Sequence, residues 1–152
     1  FINSLLEDTA RGCIWIGTEG CLFRYTPADG RTQRIDAFYD NSVKSLALDG
    51  SGQLLVGTDN GLYVYQEGEP LLHVVHDSRN LQSLSNNIIW TIFADREHNI
   101  WLGTDYGISM SRNNNACVIS LFHKSPEQER GTSSIPCFAI HTEPTGLAEP
   151  TD

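Results

Sequence analysis

The sequence predicts an all-β fold of β-propeller blades, four-stranded antiparallel meanders stacked side by side, about three of them with the start of a fourth. Three observations predict it. One phrase occurs three times, as "IWIGTEGCLFRY" from Ile14, "LLVGTDNGLYVY" from Leu54 and "IWLGTDYGISMS" from Ile100. Aligned on its glycine, it sets Gly17, Gly57 and Gly103 at spacings of 40 and 46 residues, a period typical of repeat architectures. The apolar runs are short, rich in β-branched and aromatic residues and separated by Gly, Asp and Asn clusters, whereas nowhere do apolar residues recur at three-and-four spacing over three turns.

The first unit, residues 1–42, opens on "INSLLED", which ends at Asp8 and leads after a short turn into the strand of Trp15. In the second unit, 43–88, all four strands are legible as "SVKSLAL", "QLLVGT", "GLYVYQ" and "PLLHVVH", with "DGSG", "DNG" and "EGE" between them. Asn60-Gly61 predicts a two-residue type I′ hairpin, which needs positive φ at both central residues. The third unit, 89–134, repeats the order from "IWTIFAD", with Tyr106-Gly107 at the hairpin; the first has Gly20-Cys21 there, its glycine displaced by one place. Residues 135–152 carry "IPCFAIH", 46 residues after Ile89, but no second strand of the W-x-G-T kind; they read as the start of a fourth blade or a divergent tail. Asp8, Asp49 and Asp95 close each first strand, where a short carboxylate can hold a turn by accepting backbone N–H groups. Trp15 and Trp101, with Leu55 in the equivalent place, are expected between neighbouring blades. A motif used in every copy is architecture; function must lie in what differs.

Composition narrows the function classes. With 39% hydrophobic and 19% charged residues over 152 positions, the chain has the balance of a soluble domain with its own core. A net charge of −9 argues against a broad nucleic-acid surface, which needs clustered Lys and Arg. The longest apolar runs, such as Leu71 to Val75, fall far short of the roughly 20 residues that cross a bilayer. "FINSLLEDTARG" lacks the basic start and apolar centre of an export signal, and the chain begins with Phe, so it reads as a piece of something longer. The four cysteines, Cys13, Cys21, Cys117 and Cys137, form no C-x-x-C pair, and Cys13 and Cys21 flank an extended segment too long for a disulfide; free buried thiols are expected. His73, His76, His98, His123 and His141 are scattered, and His73 and His76, three apart on a strand, point to opposite faces. Asp95, Glu97 and His98 crowd one turn without a nucleophile and base, "DGSGQ" from Asp49 lacks the ligands of a calcium loop, and no Gly-rich phosphate loop occurs. The sequence therefore predicts no enzyme, no metal and no cofactor in this chain.

"LSNNIIWTIFADREHNIWLGTDYGISMSR", Leu84 to Arg112, resembles the regulator-propeller repeat found in the extracellular sensor region of hybrid two-component systems, fused histidine kinases and response regulators of gut Bacteroidetes. The units from Ile2 and Val43 follow the same pattern, so the resemblance covers roughly residues 1 to 122. It implies a periplasmic ectodomain of an inner-membrane protein, in which propellers of about seven blades precede a β-sandwich and a membrane helix. It also implies sensing of glycan breakdown products, with transcription of their utilisation genes as output. The kinase would lie outside this chain, the remaining blades and a second copy of the receptor would be its partners, and any membrane contact would come through the parent protein.

The copies are uniform at most places on the first strand and irregular at one. Five residues before the recurring aspartate stand Asn3, Lys44 and Trp90, with Pro136 in the last segment. In a propeller the first strand lines the central channel, so this position is the expected ligand site. The indole of Trp90 can stack on sugar C–H faces, and Lys44 and Asn3 can bind hydroxyls or carboxylates. Tyr39 and Tyr106 are further candidates in loops. The alternative is a protein-interaction or dimerisation module with the ligand elsewhere, whose sensitive residues would be outer ones such as Phe38, Tyr39 and Leu121.

Overall fold

The computed structural model describes residues 1–67, 72–80 and 82–112 in full, and two further strands by their backbone. The first sheet contains β1 (Ile2–Asp8), β2 (Cys13–Thr18), β3 (Leu22–Thr26) and β4 (Arg31–Ile35), in that order and antiparallel throughout. The second repeats it with β5 (Val43–Leu48), β6 (Leu54–Thr58), β7 (Gly61–Tyr65) and β8 (Leu72–Val74). The third contains β9 (Ile89–Ala94), β10 (Ile100–Thr104), β11 (Gly107–Ser111), β12 (Val118–Leu121) and β13 (Cys137–Phe138). These are the meanders of propeller blades. The helical structure among the described residues is a single 3-10 turn, Asp36–Phe38. Cys137–Phe138 falls in the segment read as a fourth blade or a tail; it pairs with β12 as a fifth strand of the third sheet.

Strand alternation explains how the sheets stack. In β6, Leu54 and Val56 turn toward the first sheet, where they join Trp15, Leu22, Phe38 and Val43, while Leu55 turns the other way and meets Leu84, Ile89, Ile92 and Leu102. All five residues of β6 are buried, which is why "LLVGT" reads as a continuous apolar run and not as an alternation. β4, an outer edge, has four exposed residues of five, and the arginines of "RTQRI" protect that edge from further pairing.

The recurring glycine is a point of close approach. A Cβ on Gly57 would lie 2.7 Å from Ser45 Oγ and 2.8 Å from Ile89 Cγ2, and one on Gly17 would lie 2.6 Å from Val43 Cγ1. The bare backbone there lets the first inner-strand residue of the next blade pack down. The threonine after it clamps the hairpin: Thr18, Thr58 and Thr104 each donate Oγ1–H to the carbonyl three residues on, at 2.9 Å. In the last two hairpins positive φ falls on Gly61 (98°) and Gly107 (100°) alone. The expected type I′ geometry at Asn60-Gly61 is thus corrected. Asn60 keeps an ordinary φ because its N–H is held by Thr58 Oγ1 at 3.0 Å, and only the glycine that follows is left-handed.

The turn aspartates behave as expected. Oδ1 of Asp8 accepts the Arg11 N–H, that of Asp49 accepts those of Ser51 and Gln53, and that of Asp95 accepts those of Glu97 and Asn99. Their second oxygens do something the spacing did not announce. Asp8 Oδ2 takes the indole N–H of Trp15 at 3.1 Å and Asp95 Oδ2 takes that of Trp101 at 2.9 Å, so the aspartate ties its own turn to the second strand.

Candidate functional site

Each inner strand carries one β-bulge at its start. Ile2 pairs with Thr18 and Ser4 with Gly17; Val43 pairs with Thr58 and Ser45 with Gly57; Ile89 pairs with Thr104 and Thr91 with Gly103. The residue left without a partner is Asn3, Lys44 and Trp90 respectively. The irregular sequence position is therefore the bulge position in all three blades. A bulge re-aims the extra side chain out of the sheet's alternation, which frees that residue from packing rules and explains why it tolerates an amide, an ammonium and an indole.

Contacts at these positions cross the blade boundaries, from the Asn3 side chain to the backbone of the second blade and from Lys44 to the Trp90 ring. Asn3 Nδ2 donates to the carbonyl of Val43 at 3.0 Å, beside Lys44. Lys44 Nζ stands 4.5 Å from the centre of the Trp90 ring, a cation–π contact, and lies 3.5 Å from Ser42 Oγ. The Trp90 N–H donates to Asp105 Oδ1 at 3.1 Å while the side chain stays 55% exposed. An indole held by a carboxylate at its nitrogen and an ammonium at its ring is a fixed aromatic platform open to solvent.

Asp105 is the residue that sequence reasoning missed. Its counterparts are Glu19 and Asp59, and each of these acidic residues donates its backbone N–H to the carbonyl just before the next-door inner strand: Glu19 to Phe1 at 3.2 Å, Asp59 to Ser42 at 3.3 Å and Asp105 to Ile88 at 3.1 Å. The same backbone hydrogen bond thus anchors an acidic residue next to the start of the inner strand in each blade, and in the third its carboxylate reaches the bulge side chain. The available signal was an acidic residue after each G-T, which the repeat comparison placed with the scaffold.

The other candidates separate cleanly. Tyr39 and Tyr106 are both exposed, and Tyr39 packs under the guanidinium of Arg34 at 5.5 Å. Phe38, read as an outer-loop contact, is instead fully buried, with its ring edge-on to Tyr63 at 5.2 Å and to Tyr65 at 6.0 Å; the 3-10 turn folds it under the first two sheets. The side chain of Leu121 and position 136 lie outside the described residues. Cys13 and Cys21 are free and buried, and burial pushes both thiols up. Among the described residues no group of His, Cys, Asp and Glu is placed to hold a metal ion.

Among the described residues the third sheet is the last of the stack, and one of its faces carries a cleft. Thr91, Phe93, Asp95, Trp101, Leu102, Gly103 and Ile108 line a cleft of about 450 Å³.

Comparisons with known proteins agree with this architecture. Residues 83–106 match the two component regulator propeller family. The chain is similar to two crystal structures of the extracellular domain of BT4673 from B. thetaiotaomicron, described as a hybrid two component system in one and a one component system in the other. Identity is 69% over 72% of this chain and 15% of that one, TM-score 0.70, and 64% over 78% and 16%, TM-score 0.71. A third, the extracellular domain of the hybrid two component system BT3049 from the same organism, is 25% identical over 81% of this chain and 17% of that one, TM-score 0.66. The chain therefore spans about one sixth of the length of the structures it matches. Among curated proteins nothing matches significantly.

Proposed function

We propose, from the premise that this chain is built of two component regulator propeller repeats, that it is a ligand-contacting segment of an extracytoplasmic sensor region, specifically the periplasmic ectodomain of a hybrid two-component system. Its ligand is a glycan breakdown product, and its output is transcription of the genes that use that glycan. The role is binding and not catalysis, with the histidine kinase elsewhere in the parent protein.

The observation that carries this reading is the bulge stripe, Asn3, Lys44 and Trp90, one residue per blade on adjacent inner strands, with Trp90 held as an exposed platform. Signalling would follow from differential affinity. A glycan that binds one arrangement of the ectodomain better than another shifts the equilibrium between them by that difference and no more. The resemblance to extracellular domains of two component systems supports the location and the class of output.

The test is a thermal-shift screen of the complete ectodomain against defined oligosaccharides, with Trp90→Ala in parallel. A ligand at a hundred times its dissociation constant stabilises the folded state by about 2.7 kcal/mol, enough to move a midpoint visibly. The expected result is a shift that Trp90→Ala abolishes while remaining folded. A shift the variant keeps in full would move the site off these blades. A second reading, an interaction module, rests on the exposed Tyr39 on the outer loop; loss of signalling on Tyr39→Ala, with Trp90→Ala silent, would favour it.

A further inference from the structure

We infer that Asp105 is a positioning residue for the ligand: it holds the Trp90 indole in the pose a sugar meets, and sets affinity without touching the sugar itself. The inference rests on the glycan reading above and adds how the aromatic platform is fixed and which part of it a ligand can use.

Trp90 is the bulge residue of β9, without a partner on β10, and its side chain is 55% exposed. An exposed indole at a bulge has little packing to choose its rotamer, and ordering such a side chain costs a ligand part of its binding energy. Asp105 removes that cost in advance by accepting the indole N–H on Oδ1 at 3.1 Å. The holder is itself held. The Asp105 N–H donates to the carbonyl of Ile88, two residues before Trp90, at 3.1 Å. The neighbouring Thr104 hydroxyl closes the hairpin, donating to the Gly107 carbonyl at 2.9 Å and accepting the Tyr106 N–H at 3.2 Å. Carboxylate and indole are therefore fixed to the same end of the same blade.

This link differs in kind from the two other Asp–Trp links, which join a strand-closing aspartate to a tryptophan that is buried or half-buried. The Trp90 N–H lies at the surface, where water would satisfy it as well, so the bond adds little to folding and acts on orientation. It also commits the nitrogen. With the N–H given to Asp105 and the Lys44 ammonium 4.5 Å over the ring, the indole has carbon surface left for a ligand and no donor. The complement of that surface is the C–H face of a sugar ring, not an acceptor group aimed at the indole edge.

The experiment has two arms. The first follows the indole N–H signals of this chain and their order parameters by NMR, with Trp90→Phe identifying the Trp90 signal by deleting it. Asp105→Ala is expected to shift that signal and lower its order parameter, while the signals of Trp15 and Trp101, bonded to Asp8 and Asp95, stay in place and report folded blades. A Trp90 signal that does not move would overturn the inference. The second arm titrates the complete ectodomain calorimetrically with a panel of defined neutral oligosaccharides and oligouronides. Asp105→Ala is expected to weaken the member that binds by about two- to tenfold, the cost of ordering one freed side chain. Asp105→Asn, which keeps an acceptor oxygen and drops the charge, recovers most of that loss. In a Trp90→Phe background, where no N–H remains to be held, Asp105→Ala adds no further loss. A full loss in that background, or an Asn variant as weak as the Ala variant, would show the carboxylate acting on the sugar directly and overturn the inference. Absence of binding by the folded ectodomain to every member would overturn the glycan reading instead, and the first arm would still decide whether Asp105 holds the indole.

Discussion

Trp15 and Trp101 stand at the same place in the repeat and make the same hydrogen bond, each giving its indole N–H to Oδ2 of the aspartate that closes the inner strand. What surrounds them differs. Trp15 is 1% exposed, edge-on to Tyr65 of the second blade at 6.0 Å and beneath the guanidinium of Arg24 at 5.8 Å, whereas Trp101 is half-buried on the wall of an open cleft. The Asp–Trp link is thus a property of a single blade, and burial is what the following blade adds. Leu55 shows the third combination: no indole, and full burial against the third sheet.

The largest effect that tests this contrast comes from truncating the two tryptophans. Trp15→Ala removes a large side chain from a closed core and is expected to cost about 3–5 kcal/mol in denaturant unfolding. Trp101→Ala, with one face open, is expected to cost about 1–2 kcal/mol in this chain. Equal losses would mean that the third sheet's open face is covered in solution. The comparison sharpens in a longer protein carrying further blades, where a cost at Trp101 rising toward that at Trp15 would mark the cleft as a blade-to-blade contact.

A smaller effect comes from the motif glycines. Gly57→Ala would push a methyl group between Ser45 and Ile89 of the following blade, an overpacking expected to cost about 1–3 kcal/mol. At Gly103 the added methyl meets, among the described residues, only the exposed Thr91 of its own blade, whose side chain can turn away, so less than about 1 kcal/mol is expected. Denaturation midpoints of the two variants check the order, and the reverse order would break the account of the glycine as a site of approach between blades.

Much of this architecture was legible because a repeat exposes its own constraints. Turn aspartates, hairpin threonines and strand glycines recur because each is tied to backbone geometry that every blade shares, so aligning three copies separates them from everything else. The irregular column of Asn3, Lys44 and Trp90 was legible for the complementary reason. Its cause was not, because a bulge is a one-residue slip in pairing that leaves no trace in composition or periodicity. The Asp–Trp link was hidden for a similar reason: the partners are six or seven residues apart and meet only once the intervening turn has folded. Phe38 was misplaced because a short 3-10 turn has no periodicity to read, so an aromatic in the connection after β4 passed for an exposed loop residue. Asp105 illustrates the opposite error, in which recurrence was taken as sufficient reason to assign a residue to scaffold alone.

The finest distinction between the two corners is in their response to acid. Hydrogen bonds from the Trp101 indole and then the Asn99 side chain, helped by the Asn99 and Glu97 N–H groups, bring the Asp95 carboxyl from its ordinary 3.8 down to about 2. At Asp8, burial pushes the carboxyl up, but the Trp15 indole and the Arg11 guanidinium and N–H outweigh it, and the net direction is again down. A carboxylate lowered on folding contributes stability that is fully present above its unfolded value and is lost as pH falls toward its folded value. For Asp95 that window runs from about 3.8 down to about 2, and for Asp8 it opens at the same ordinary value and runs below it. Stability is therefore expected to fall as pH drops through this range and to be insensitive to the two groups near neutrality. Trp101→Phe removes the largest cause at Asp95 without touching its backbone bonds, so its carboxyl should titrate nearer 3.8, as followed by the carboxyl carbon signal in NMR. Asp8 should not move in that variant. A parallel shift at Asp8 would show that the two corners are coupled through the stack and would break the view that each Asp–Trp link belongs to its own blade.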